Sequence, residues 1–246
     1  MSRIFITGDT HGRDDIRKLY PNSFPEQKNL TKDDYLIILG DAGIIWGGTK
    51  QSLENGYFPP KGCIIHTEND EKLIEWYNKQ NYTTLYIDGN HENHKCLNSY
   101  PVEEWNGGKV HRISDSVFHL MRGEVFNIDG RTFFTMGGAT STDQWGRVED
   151  IDWWREELPS ENEIDNAIDN INKAGGSFDY ILTHCCSLSI QNKLSGAMNI
   201  TDVINVFFEF IESKIIFQQW YFGHFHRDLQ IDNGHRCVYN DIIELP

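Results

Sequence analysis

Five strand-like runs in this chain each end in residues able to bind a metal ion. Asp9 and His11 follow the run 3–8, and Asp41 follows 35–40. Asn90 and His91 follow 84–89, His184 follows 180–183, and His224 and His226 follow 220–223. Open α/β sheets bind ligands at the carboxyl ends of their strands. One Gly-Asp pair at a strand end is ordinarily a turn. A lone His is ordinarily a surface or packed residue. Five such ends, all carrying Asp, Asn or His, point to one shared site on an α/β fold.

The residue types set the chemistry. Asp oxygens and His nitrogens suit Mn, Fe or Zn, and Asp also suits Mg. Asp9 and His11 are two apart, so both can reach one ion from a strand-to-loop junction. His224 and His226 share that spacing. Short spacings repeated on separate strands imply two divalent ions, with Asp41 as the bridging carboxylate. Two such ions clamp a phosphoryl group and lower the pKa of a water between them. Gly8, Gly12, Gly40, Gly43, Gly89 and Gly223 flank the ligands, where glycine permits positive φ and close backbone approach.

Charge narrows the partners. The chain of 246 residues carries 22 Lys and Arg against 37 Asp and Glu, a net charge of −15. Extended duplex DNA calls for clustered basic residues and is excluded as a partner. A small phosphorylated molecule, a nucleotide or a phosphodiester is not, because bound cations reverse the local field. The five cysteines are odd in number and form no CxxC pair. They read as reduced thiols of a cytoplasmic protein. Cys185 and Cys186 flank His184, but neighbours on an extended strand point to opposite faces and are poorly placed to share an ion. No signal peptide or membrane span is visible. Nothing in the sequence sets an oligomeric state.

Local patterns fill in the rest. Thr67 is placed to cap a helix running to Gln80, with Leu73, Ile74, Trp76 and Tyr77 as its apolar positions. Runs 117–126 and 131–136 flank Asp129-Gly130, a hairpin-turn dipeptide. Ser160 and Glu163 form a capping-box pair for a helix reaching Lys173, with Gly175 as its stop. Another helix begins near Thr201 or Asp202 and is expected to turn Val203, Val206, Phe207 and Phe210 inward. A hairpin around Asn233-Gly234 closes the chain. Two long loops, 42–61 and 140–159, contain Trp46, Trp145, Trp153 and Trp154, and long loops in compact domains are commonly functional.

The blocks Gly8-Asp9-Thr10-His11, Gly40-Asp41, Gly89-Asn90-His91-Glu92, Thr183-His184 and Gly223-His224-Phe225-His226 occur in that order. In this the chain resembles the calcineurin-like metallophosphoesterases. The resemblance implies a four-layer α/β/β/α sandwich of two packed mixed sheets flanked by helices, as one domain over 1–246. It implies that Asp9, His11, Asp41 and His226 hold a first ion, and Asp41, Asn90, His184 and His224 a second. It implies in-line attack on phosphorus by a metal-bridging hydroxide. His91 would stabilise the transition state or protonate the leaving oxygen, oriented by Glu92 or another carboxylate. Two departures stand out. Gly40-Asp41 runs into Ala42-Gly43-Ile44, without the phosphate-clamping Arg of the protein phosphatases. Cys185-Cys186-Ser187 follows His184 where many relatives carry prolines.

For substrate contacts, Arg13, His94 and Trp46 are the candidates. Arg147 and Arg155 lie among Glu149, Asp150, Asp152, Glu156 and Glu157 and read as parts of a solvated loop. His66, His111, His119 and His235 match no block and read as structural. The leading expectation is a Mn-dependent phosphomonoesterase or phosphodiesterase. The alternatives are a non-catalytic scaffold on the same fold and a single-metal structural site.

Overall fold

A computed structural model describes residues 2–59, 67–194 and 201–246. His66, Cys63 and the end of the first long loop lie outside those residues. Within them are two mixed sheets. The first contains β1 (Ile4–Thr7), β2 (Tyr35–Leu39), β3 (Thr83–Ile87), β4 (Val102–Trp105), β5 (Gly108–Ser114) and β6 (Val117–Leu120). The second contains β7 (Glu124–Ile128), β8 (Arg131–Met136), β9 (Ser177–Thr183), β10 (Ile216–Phe222), β11 (Leu229–Gln230) and β12 (His235–Cys237). A last strand, β13 (Ile243–Glu244), returns to pair antiparallel with β1. The orders are β13-β1-β2-β3-β6-β5-β4 and β11-β12-β10-β9-β8-β7. The central strands β1, β2 and β3 run parallel, as do β8, β9 and β10.

Alternation along the strands builds the layers. Ile4, Ile6, Ile37 and Leu39 pack between the sheets against Phe133, Leu182 and Tyr221. Their neighbours Phe5, Leu36 and Ile38 face the other way, toward Leu73 and Tyr77 of a helix over Thr67–Asn78. On the far side, Phe134, Ile181 and Trp220 pack under helices Glu161–Lys173 and Val203–Glu212. The result is the four-layer α/β/β/α sandwich expected from the sequence. No helix among the described residues is long and apolar enough to cross a membrane.

Several local expectations hold. Ser160 and Glu163 form the reciprocal capping box, and Asp129 and Gly130 turn the β7–β8 hairpin with positive φ at both residues. The helix expected to run from Thr67 to Gln80 ends at Asn78, and the side chain of Thr67 lies outside the described residues.

Others need correction. The run 117–126 is two strands: it breaks at Arg122-Gly123, where Gly123 has φ 71° and the chain passes from one sheet to the other. The helix capped by Asp202 buries Ile204, Phe207, Phe208 and Ile211. Val203, Val206 and Phe210, expected inward, are half exposed. The stretch is apolar on nearly every position, so composition could not say which stripe faces the sheet. The first long loop contains a short capped helix, Lys50–Glu54.

Candidate metal centre

The loops beyond β1, β2, β3, β9 and β10 converge. The amides of Thr10 and His11 donate to the carbonyl of Asp41, and the amide of Gly12 donates to that of Ala42. The backbone of His91 donates to Asp41 Oδ1 at 2.7 Å, and that of His224 to Asp9 Oδ1 at 3.2 Å. Four non-glycine residues here have positive φ: His11, Asp41, His224 and His226. Such conformations cost roughly 1–3 kcal/mol each and gather at functional sites.

The glycines split into two kinds. Gly12, Gly40 and Gly43 have positive φ. Gly89 and Gly223 do not and serve close approach alone. A Cβ on Gly89 would lie 2.0 Å from Asp41 Oδ1, and one on Gly223 2.3 Å from Asp9 Oδ1. A Cβ on Gly40 would lie 2.2 Å from the His184 ring. Gly40, Gly89 and Gly223 therefore each make room for another block's candidate ligand, whereas a Cβ on Gly8 would meet the backbone of Val238.

Two carboxylate–histidine groups result, each with donor atoms close enough to hold an ion: Asp9, His11 and His226, and Asp9, Asp41 and His184. Asp41 points one oxygen at His11 Nε2 (3.4 Å) and the other at His184 Nε2 (3.4 Å). His226 Nε2 lies 3.2 Å from Asp9 Oδ2, and His184 Nε2 lies 3.1 Å from Asn90 Oδ1. Asp41 thus faces a histidine of each group, and Asp9 belongs to both groups. The His224 ring lies 5.1 Å from that of His184, in the wall of a cavity shared with Asp41, Asn90 and His91.

The chemistry of these donors fits divalent ions. Asp9 Oδ2 is buried without a hydrogen-bond partner. His184 Nδ1 donates to the carbonyl of Leu39 at 2.7 Å, and His11 Nδ1 meets Asp15 at 2.7 Å. Both rings are thereby held with Nε2 toward the carboxylates. Burial opposes charge on His184 and His11, yet Asp41 raises them to about 10 and about 9. Burial also works against ionised Asp41, but His184 and His11 hold it well below the usual range. Protons on these rings occupy the place a cation would take. Burial, then His184, lowers His224 to about 4, and burial lowers His91.

The remaining candidates divide. Arg13 and Trp46 line a cavity of about 570 Å³ with His11, His91 and His226. Arg147 is there too, bonded to both carboxylate oxygens of Asp143. It is not merely part of a solvated loop, as its acidic neighbours had implied. Trp46 meets buried Trp154 edge to face at 5.1 Å. His94 does not face this cleft. It opens a short helix capped by Asn93, is buried, and lines a different cavity with Asp88, His111, His119 and Arg122. Glu92 does not orient His91. Its carboxyl accepts from the amides of Ala42 and Gly43, and burial raises its pKa well above the usual range. The buried cysteines Cys96, Cys185, Cys186 and Cys237 are free thiols and belong to neither metal-binding group. Sequence reasoning missed Asp15, Lys18 and Tyr239 beside the ligands. Only Asp15, four residues beyond His11, carried a positional hint.

One solved structure superposes with a TM-score of 0.51 at 11% identity, over 96% of this chain and 89% of that one, and supports the fold. Two more are matched across about half of their own lengths. One is described as a 5'-nucleotidase from Staphylococcus aureus (TM-score 0.47, 13% identity, covering 96% of this chain and 48% of that one). The other is a sulfate thiohydrolase from Thermus thermophilus (TM-score 0.42, 10% identity, covering 97% and 51%). A sequence search among curated proteins returns no significant match. The model of the calcineurin-like phosphoesterases matches residues 2–228, and with that span the chain belongs to the calcineurin-like phosphoesterase family.

Proposed function

We propose that this metal-dependent phosphoesterase hydrolyses its ester at a two-ion centre. The observation that carries the reading is the meeting of two carboxylate–histidine groups at Asp9. Asp9, His11, Asp41 and His226 would hold one ion, and Asp41, Asn90, His184 and His224 the other. The oxygen and nitrogen donors favour Mn, with Fe, Zn and Mg sharing the preference in part. When bound, the ions supply Lewis acidity toward the phosphoryl oxygens and an activated water.

The protein's own groups do the rest. Asp41 and Asn90 set the inner wall, and the strained His224 and His226 loop closes it. His91 stands in the walls of both cavities that open from the centre. Its backbone is pinned to Asp41, and burial favours its neutral ring. It is placed to donate a hydrogen bond to the leaving oxygen. Arg13, Arg147 and Trp46 flank the leaving-group side, where an anionic or planar group on a small phosphoester or nucleotide would be held.

Hydrolysis of matched chromogenic mono- and diesters by chelator-stripped protein, with Mn²⁺ restored, tests this. Turnover that needs Mn²⁺ and falls about 10²–10⁴-fold in His91→Ala is expected. Turnover unchanged by chelation sinks the reading.

A further inference from the structure

The two ion sites differ in how their histidines are held. His184 is fully buried and pinned by the Leu39 carbonyl. His226 is 48% exposed, and His11 is also partly open to solvent. Both sit on backbone with positive φ. Free rings at such positions would lose rotamer freedom on meeting an ion.

One small group braces both. Asp15 accepts from His11 Nδ1 at 2.7 Å. The Tyr239 hydroxyl is close enough to Asp15 that, after burial, Asp15 pushes its pKa further up. The Tyr239 ring lies flat on the His226 imidazole, with centroids 4.5 Å apart and planes 7° apart. Beneath it, the buried ammonium of Lys18 donates to the carbonyls of Gly8, Asp9 and Tyr239. The same ammonium lies 4.9 Å from the Tyr239 ring centroid. The amide of Tyr239 is held by Asp228 at 2.8 Å. Tyr239 is therefore fixed at its backbone and its ring.

We propose that Asp15 and Tyr239 are positioning residues that preorganise His11 and His226, and hence one ion site, while the site around His184 does not depend on them. The proposal rests on the two-ion reading above. It accounts for a stacked Tyr239–His226 pair and an Asp15–His11 hydrogen bond meeting at the exposed edge of the centre.

The test is calorimetric titration of the metal-stripped full chain with Mn²⁺, with metal content measured after desalting. Wild type is compared with Tyr239→Ala, Tyr239→Phe and Asp15→Ala. Two binding events are expected in wild type. In Tyr239→Ala and Asp15→Ala, one event weakens about 10–100-fold and the other is unchanged. Tyr239→Phe keeps the ring stack and loses only the hydroxyl, so it weakens the same event less than Tyr239→Ala. The thermal midpoint of the metal-free variants stays near wild type. Two ions bound with wild-type affinities in all variants overturns the bracket alone. Equal weakening of both events with a lower metal-free midpoint also overturns it, because that marks a general structural role. A single ion in wild type overturns the two-ion reading and the proposal together.

Discussion

Two clusters of carboxylate and histidine lie on either side of the turn that follows β3, and they are built oppositely. In one, Asp9 and Asp41 pair with His11, His184 and His226, and Asp9 Oδ2 has no hydrogen-bond partner. In the other, Arg122 donates to Asp88 through both Nε and Nη2. Asp88 also meets His119 Nε2 at 3.1 Å, and His119 Nδ1 meets His111 Nδ1 at 3.0 Å. Burial works against ionised Asp88, but Arg122 holds its pKa well below the usual range. His111 is pushed down to about 3 by burial and then by His119. The second cluster carries its own cation, Arg122, and keeps the His111 imidazole neutral. In the first, the nearby Lys18 ammonium donates to backbone carbonyls, and the groups facing the carboxylates are imidazoles. Similar residues thus make an arginine-neutralised network in one place and, in the other, groups that could hold a metal ion.

The contrast breaks most readily at Asp41. Asp41→Asn removes the carboxylate charge that faces both His11 and His184. Turnover with saturating Mn²⁺ is expected to fall beyond the 10–100-fold typical of residues that only support ligands, and metal content is expected to drop below that of wild type. Retention of both ions and of most activity would show that Asp41 does not bridge. At Arg122 the expected loss is of stability. Arg122→Met leaves Asp88 buried and uncompensated, a cost of about 3–5 kcal/mol. Urea denaturation measures it, and metal content per folded chain should not change. A variant as stable as wild type would mean that Asp88 is neutralised some other way.

The contrast sharpens with pH. Folding raises His11 to about 9 and His184 to about 10, above the ordinary 6.5. A raised folded pKa gives stability that is complete below pH 6.5 and is lost as pH rises through about 9 and 10. The metal-free chain should therefore show a falling thermal midpoint from pH 6.5 upward. A bound ion needs the same rings deprotonated, so the stabilisation conferred by Mn²⁺ should grow over that window. Scans with and without Mn²⁺ between pH 6.5 and 8.5 compare the two. Parallel curves would mean that these rings do not exchange protons for metal.

Much of this centre was legible because each candidate ligand sits within four residues of the end of the strand before it. The periodicity of two that identifies a strand also identifies where its loop begins. The sandwich followed from the same strands, whose alternation supplies one apolar face to each layer. What stayed hidden depends on partners remote in sequence. Glu92 binds the amides of Ala42 and Gly43, 50 and 49 residues away. Tyr239 lies 13 residues beyond His226 on a segment with no motif. The inward stripe of helix Val203–Glu212 could not be separated from its outward one, because both are apolar. Arg147 was masked by the acidic residues around it, although its bond to Asp143 is part of what holds it against the cleft.

His94 supplies the smallest expected effect and the finest test of the division. Three residues after His91, it reads in sequence as a second cleft histidine. In the fold it is 3% exposed and belongs to the Asp88 side, 3.9 Å from Asp88 Oδ2 and beyond hydrogen-bond reach. Its Nε2 is buried without a partner, and burial followed by Arg122 pushes its pKa down to about 3. A neutral imidazole without a hydrogen bond contributes chiefly volume. His94→Leu removes an unsatisfied polar atom at modest change in size, so its effect on stability should stay within about 1.5 kcal/mol. Because the ring is outside both cavities that contain His91, KM and kcat should match wild type. A rise in KM at unchanged stability would place His94 in contact with substrate and join the two clusters into one site.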